Sequence, residues 1–257
     1  MVVTKLPTLL SIGLFLSQGH AAPASTTNLT TRAIPSGIII EHCTVPGVVA
    51  LTFDDGPFIY TSHILDLLDE YGAKATFFIN GENWSRGIGD FSSPWPGILR
   101  RMDLSGHQIG SHTWAHADLS SVDSPTREFQ VYELEKALFS ILGKAPTYLR
   151  PPYASCSADC LHDTERMRLH VVNFDVDPKD YLHNDPSDVT AAMENFSRAL
   201  DERRWGDSFL VLSHDSLPNT AEFLVPHMLM EIQQRGYRAV TVGECLGDPA
   251  ENWYWYL

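Results

Sequence analysis

Short apolar runs alternate with amphipathic helical stretches along most of this chain, and that alternation limits the fold more than any other feature. The runs lie at 48–53, 75–79, 108–111, 147–149, 170–174, 209–213 and 239–242. Between them, residues 63–70 put Ile64, Leu67 and Leu68 on one helical face, and 129–142 do the same with Leu134, Leu138, Ile141 and Leu142 before Gly143. Further helices are expected at 186–204 and at 221–235, with Gly236 as the stop. Strand–helix alternation calls for a parallel sheet covered by helices, because each parallel return needs a crossover. About seven such units favour a barrel over an open sheet. In a β/α barrel the chemistry sits at the C-terminal ends of the strands, so reactive residues should fall just after the apolar runs.

They do. The first run ends in Thr52-Phe53-Asp54-Asp55-Gly56-Pro57. An Asx turn or a helix N-cap accounts for one aspartate there, but not readily for two in tandem. The third run ends in Ser111-His112-Thr113-Trp114-Ala115-His116. Imidazoles at i and i+4 face one way if the chain turns helically. A pair of structural histidines is the competing explanation. Two histidines and one aspartate make a three-ligand set that leaves a position open for water, as in catalytic zinc sites. The fourth run leads to Arg150-Pro151-Pro152-Tyr153, a rigid extended segment whose arginine is available to a carboxylate. The fifth leads to the acidic loop Asp175–Tyr181, and the sixth to Leu212-Ser213-His214-Asp215. Taken singly, most of these have structural explanations. Their convergence on one end of a barrel carries the argument.

The chain's bulk properties agree with an ordinary enzyme. Its 257 residues are 44% hydrophobic and 19% charged, enough for one large core. The net charge of −14 and the lack of any basic cluster make nucleic acid an improbable partner. Lys5, an apolar run over 6–16 and small residues at Gly19, Ala21, Ala22 and Ala24 read as a signal peptide over 1–22. A flexible lead-in over 23–37, a catalytic domain over 38–248 and a tail over 249–257 are expected to follow. No membrane anchor is expected, and the protein should be secreted, extracellular or in the cell wall, as a monomer. Four cysteines suit that compartment. Cys156 and Cys160 are close enough for a local loop, and Cys43 and Cys245 would then pair, although three connectivities are open in principle. A cysteine-only zinc site has the wrong spacing. Sequons at Asn28, Asn83 and Asn195 are candidate glycan sites.

In order and over most of the chain, these motifs resemble the polysaccharide deacetylases of carbohydrate esterase family four, the NodB-homology domain. The residues that carry the resemblance are Thr52–Pro57, Ser111–His116, Arg150–Tyr153, Asp177–Tyr181, and Leu212 with His214. The stretches 75–81 and 106–110 are similar to fungal chitin deacetylases in particular, as is the cysteine arrangement. The resemblance implies a distorted, incomplete (β/α) barrel. It implies Asp54 as catalytic base, and Asp55, His112 and His116 as ligands of zinc, or of cobalt or another divalent ion. Arg150 would hold the base, and the Tyr153 backbone N–H would meet the oxyanion. His214 would be the general acid, oriented by Asp180 or, less favoured, Asp177. Leu212 would line the pocket for the acetyl methyl. The fourth motif often ends in Trp, and Tyr181 here alters the groove wall.

The expected reaction is removal of N-acetyl groups from chitin or chitooligosaccharides. The same constellation serves O-deacetylation of acetylxylan and N-deacetylation of peptidoglycan, and a non-catalytic glycan-binding protein is the reading from another class. Such a protein should have lost the base, the acid or a ligand, and none is missing. Trp84, Phe91 and Trp95 either stack on sugar rings or cover the barrel rim.

Overall fold

The first apolar run becomes the strand on which the fold is hung, β2 (Val48–Asp54), buried along its whole length. A computed structural model describes residues 1–2, 34–83, 87–203 and 206–256. The expected signal peptide, Asn28 and Trp84 lie outside the described residues, apart from Met1 and Val2. Around β2 the elements run β1 (Ile39–Ile40), α1 (Thr61–Glu70), β3 (Thr76–Ile79), α2 (Trp95–Leu104), β4 (Gln108–Ser111) and α3 (Ser124–Leu142). They continue with β5 (Lys144–Pro146), β6 (Tyr148–Leu149), α4 (Ala158–Arg166), β7 (His170–Val172) and α5 (Val189–Asp201). The last are β8 (Phe209–Val211), α6 (Val225–Gln234), β9 (Arg238–Val240), α7 (Val242–Leu246) and β10 (Tyr254–Tyr256).

The main sheet is parallel, in the order β1-β7-β6-β4-β3-β2-β8, with β9 also on β2. Residues 48–50 of β2 pair with β9 and residues 52–54 with β3, while 49–51 pair with β8. The ends of this order are β1 and β8, and the segment that follows β7 reaches β8 through one bridge, Val176 to Val211, instead of a full strand. This is the incomplete barrel the resemblance implies, with helices packed outside it.

Period-two geometry sorts β2 into two faces. Val49, Leu51 and Phe53 join the core under the helices, with Ile64, Leu68, Phe196 and Met228. Val48 and Ala50 face the barrel interior with Phe78, Tyr148, Val172 and Leu210. Thr52 and Asp54 continue that inner face, so the interior is apolar at its base and polar toward the strand ends.

Several elements depart from expectation. The helix expected at 129–142 begins at Ser124, because Asp123 caps it by accepting from the Thr126 N–H and Pro125 suits a first turn. The helix expected at 186–204 begins only at Val189, since Asp185 holds the preceding residues in a turn by accepting from the Ser187 N–H. The strand expected to reach residue 242 stops at Val240, where Thr241 caps α7. The expected tail is part of the fold. β10 pairs antiparallel with β5, and the buried Tyr254 hydroxyl accepts the Ile109 N–H at 2.8 Å. Disulfides join Cys43 to Cys245 and Cys156 to Cys160. Among the described residues, no helix is long and apolar enough to cross a membrane.

At the base of β4, His107 is 2% exposed and accepts the Ala75 N–H on Nδ1. Burial, with Lys74 nearby, pushes its pKa down from 6.5 to about 4. A depressed histidine favours the fold above its unfolded pKa, and the contribution is lost as pH falls toward the folded value. His107 should therefore cost the protein about 3 kcal/mol of stability on acidification across that window. Urea denaturation of His107→Gln should show a flatter dependence of stability between pH 6.5 and 4 than the parent.

Candidate active site

The inner face of β2 delivers Thr52 and Asp54 to the barrel mouth, where a buried arginine meets both. Arg150 follows β6 and is 1% exposed. Its Nη1 donates to Asp54 Oδ1 at 2.9 Å and also to Thr52 Oγ1. Its Nε and Nη2 donate to the carbonyls of Val172 and Asn173 at 3.2 and 2.7 Å, and its guanidinium lies 4.3 Å over the Phe78 ring. A guanidinium out of water requires this degree of pairing.

In a strand, neighbouring side chains point to opposite faces. Asp54 and Asp55 nevertheless both reach the cavity, because Asp55 leaves the strand with φ 77°. The turn behind it needs Gly56. A Cβ there would lie 2.1 Å from Asp215 Oδ2.

The histidines converge without the helical turn expected of their i, i+4 spacing. Residues 112–116 are irregular, with φ of 71° at Thr113 and 54° at His116, and they bring the two rings to 5.0 Å. Three supports hold this turn. Asn80 Nδ2 donates to the carbonyls of His112 and Thr113. Gln130 Oε1 accepts the Ala115 N–H. Trp114 packs so closely on Gly81 that a Cβ there would lie 1.9 Å from the indole.

His112 Nδ1 is 2.7 Å from the Arg150 carbonyl. A carbonyl only accepts, so Nδ1 carries the proton and Nε2 offers its lone pair to the cavity. Burial pushes the His112 pKa down, which keeps the ring neutral, as a ligand must be. Nε2 of His112 and of His116 lie 3.6 and 3.2 Å from Asp55 Oδ1. The ligand atoms of all three residues lie within 4.8 Å of one another. Asp55 Oδ1 is buried without a well-formed hydrogen bond, with His116 Nε2 its nearest polar neighbour of the two imidazoles. Burial raises the Asp55 pKa, yet the adjacent His116, with His112 and His214, outweighs it and holds the carboxyl below its usual range. A buried carboxylate oxygen facing Nε2 of two imidazoles, all within 4.8 Å, fits one cation bound by all three residues.

Across the cavity His214 follows β8, tied to β2 by the Asp54 N–H donating to the Ser213 carbonyl at 2.9 Å. Its Nδ1 donates to Asp180 Oδ1 at 2.8 Å, leaving Nε2 for the cavity. Burial opposes protonation, but the Asp180 carboxylate, with Asp54 and Asp55 beyond it, raises the His214 pKa to about 9. Asp177 does not contact His214 in this arrangement. It accepts from the Tyr181 hydroxyl and from the Lys179 N–H. The Tyr181 ring stands edge-on to His214 at 5.6 Å. Tyr153, 71% exposed and with φ 59°, stands against His116, and Leu212 lines the same cavity. Together these residues line a cavity of about 410 Å³.

Over residues 41–172 the chain matches the family model described as polysaccharide deacetylase. The chain belongs to the polysaccharide deacetylase family. Among curated relatives, a chitin deacetylase of Pestalotiopsis sp is 47% identical over 91% of this chain and 75% of its own length. A chitin deacetylase of Colletotrichum lindemuthianum is 43% identical over 94% and 97%. The solved structure of the chitin deacetylase from Colletotrichum lindemuthianum has a TM-score of 0.83 at 44% identity, over 86% of this chain and 97% of that one. This polysaccharide deacetylase thus has the fold of its fungal relatives.

Other expected site residues lie apart from this family's cavity lining. Phe91 is exposed and sits under Arg100, and Trp95 is buried at the start of α2. Asn83 is exposed, donating to Asn80 Oδ1. Asn195 lies inside α5 with its Nδ2 donating to the Pro178 carbonyl, so its amide faces the Asp177–Tyr181 loop. Asn173 and Thr220 lie outside the sequence motifs, and Thr52 and Asn80 lie within the stretches 52–57 and 75–81 without a role assigned to them there. For Thr52 the signal was alternation in β2, which puts it on the face of Asp54.

His112→Ala and Asp55→Asn should each weaken metal binding by at least about tenfold, while Asp54→Asn should retain the metal. Elemental analysis after dialysis checks this, and equal loss in all three variants would contradict the assignment.

Proposed function

We propose that this chain hydrolyses the N-acetyl groups of N-acetylglucosamine units in chitin or chitooligosaccharides, releasing acetate. The observation that carries the reading is the meeting, in one cavity, of an arginine-held carboxylate, an Asp-His-His cluster and a carboxylate-backed histidine. The chitin deacetylases of Pestalotiopsis sp and Colletotrichum lindemuthianum, at 47% and 43% identity over most of this chain, support chitin as the substrate. Two disulfides and the expected signal peptide support a secreted enzyme.

Asp55, His112 and His116 would hold the metal, and zinc suits one carboxylate with two imidazoles, although cobalt or another divalent ion would fit the same donors. When bound, such an ion supplies Lewis acidity, lowering the pKa of a water and polarising the acetyl carbonyl. The chain's own residues do the rest. Asp54, fixed by Arg150, takes a proton from the attacking water as its oxygen bonds to the acetyl carbon. The Tyr153 backbone N–H donates to the developing oxyanion. The C–N bond then breaks as His214 passes its Nε2 proton to the departing nitrogen, because an amine leaves poorly unless protonated. Asp180 keeps His214 in the Nδ1–H tautomer and favours its charged form. Leu212 gives the acetyl methyl an apolar wall, and Tyr181 and Tyr153 border the sugar chain.

Metal-stripped protein should release no acetate from chitin oligosaccharides, and zinc should restore release. Asp54→Asn should lower kcat by several orders of magnitude. Acetate release from acetylxylan alone, assayed in parallel, would move the substrate from chitin to a plant-wall ester. Asp180→Asn should shift the alkaline limb of the pH–rate profile to lower pH, because the Asp180 charge is what raises the His214 pKa. A limb unmoved by that substitution would remove His214 as the acid.

A further inference from the structure

Asp180 accepts four hydrogen bonds, and one of them comes from a residue with no part in the scheme above. Oδ1 accepts from His214 Nδ1 at 2.8 Å and from the Tyr181 N–H at 2.9 Å. Oδ2 accepts from the His214 backbone N–H and from the Thr220 hydroxyl, both at 2.8 Å. Asp180 is 3% exposed and Thr220 is 1% exposed, so water does not compete for these bonds. Thr220 opens a π-helical turn, Thr220–Leu224, directly ahead of α6. Single π turns of this kind recur at functional sites, where the wider turn redirects a side chain. This one sets Thr220 behind a carboxylate 40 residues earlier in the chain.

A carboxylate turns easily about its Cβ–Cγ bond, over a broad torsional well. Turning Asp180 would move Oδ1 off the His214 ring nitrogen. Of the two bonds to Oδ2 that resist this, one comes from the backbone of His214 itself. Thr220 is the Oδ2 anchor that belongs to a separate element. We infer that Thr220 is a positioning residue, whose hydroxyl fixes the rotation of Asp180 and through it the orientation of His214. The inference rests on the deacetylase reading of this site.

The test uses the zinc-loaded full chain on chitin oligosaccharides, with Thr220→Val removing the donor at nearly constant shape and Thr220→Ser restoring it. His214 faces the carboxylates of Asp180, Asp54 and Asp55 and the ring of Tyr181. Only the contact to Asp180 is altered by these variants. Thr220→Val should lower kcat roughly tenfold, the loss of one hydrogen bond to a charged group. KM should be unchanged. The alkaline limb of its pH profile should move to lower pH, as in Asp180→Asn but less far. Thr220→Ser should recover both the rate and the limb. If the valine variant does not fold, Thr220→Ala is read the same way. The inference is overturned by a wild-type kcat in Thr220→Val, by a slower enzyme whose limb is unmoved or raised, or by a serine variant as impaired as the valine one. Wild-type protein that releases no acetate overturns the deacetylase reading and this inference with it. An active wild type with any of the preceding results overturns this inference alone.

Discussion

The buried ion pair between Arg150 and Asp54 is the interaction on which the rest of the site depends. A fully enclosed guanidinium is costly unless each face of it is satisfied. Here the partners come from β2, from the end of β7 and from the residue after it, with Phe78 of β3 beneath. One side chain thereby joins strands that are far apart in sequence. The same residue also orients a candidate metal ligand, because its carbonyl accepts from His112 Nδ1. The proposed base and the metal cluster are therefore held by one residue, its side chain acting on the first and its main chain on the second.

A second feature is the concentration of left-handed backbone around the cavity. Among the described non-glycine residues with positive φ are Asp55, Thr113, His116, Tyr153, Ala154 and Lys179, all on loops that follow the strands. Each such residue costs on the order of 1–3 kcal/mol and persists only where its surroundings dictate it. Those surroundings are visible. Asn80 and Gln130 hold the His112–His116 turn, Asp215 packs under Gly56, and the Cys156–Cys160 disulfide lies just beyond Tyr153 and Ala154. Two adjacent residues such as Asp54 and Asp55 serve one cavity only because the chain twists between them.

Much of this was legible in the sequence, for a physical reason. Parallel strands buried on both faces read as unbroken apolar runs, and barrel chemistry follows strand ends, so the runs pointed to Asp54, His112, Arg150 and His214. Helix ends were harder. Asp123 and Thr241 act as caps through side-chain bonds that lie a few residues away from the apolar pattern. β10 was missed because its role is to supply a tyrosine hydroxyl to Ile109, a contact spanning 145 residues. The i, i+4 spacing of the histidines suggested a helical turn, whereas left-handed residues bring them together. Thr220 had no sequence signal at all, since its partner Asp180 is reached only through a π turn.

The central claim is that one divalent ion is held by Asp55, His112 and His116 while Asp54 stays on Arg150. Anomalous diffraction at the zinc edge from zinc-loaded crystals tests it most directly. The account predicts one strong peak bonded to Asp55 Oδ1 and to Nε2 of both histidines, with Asp54 still paired to the guanidinium. A peak that takes Asp54 as a ligand, or that lies away from these three residues, would contradict it.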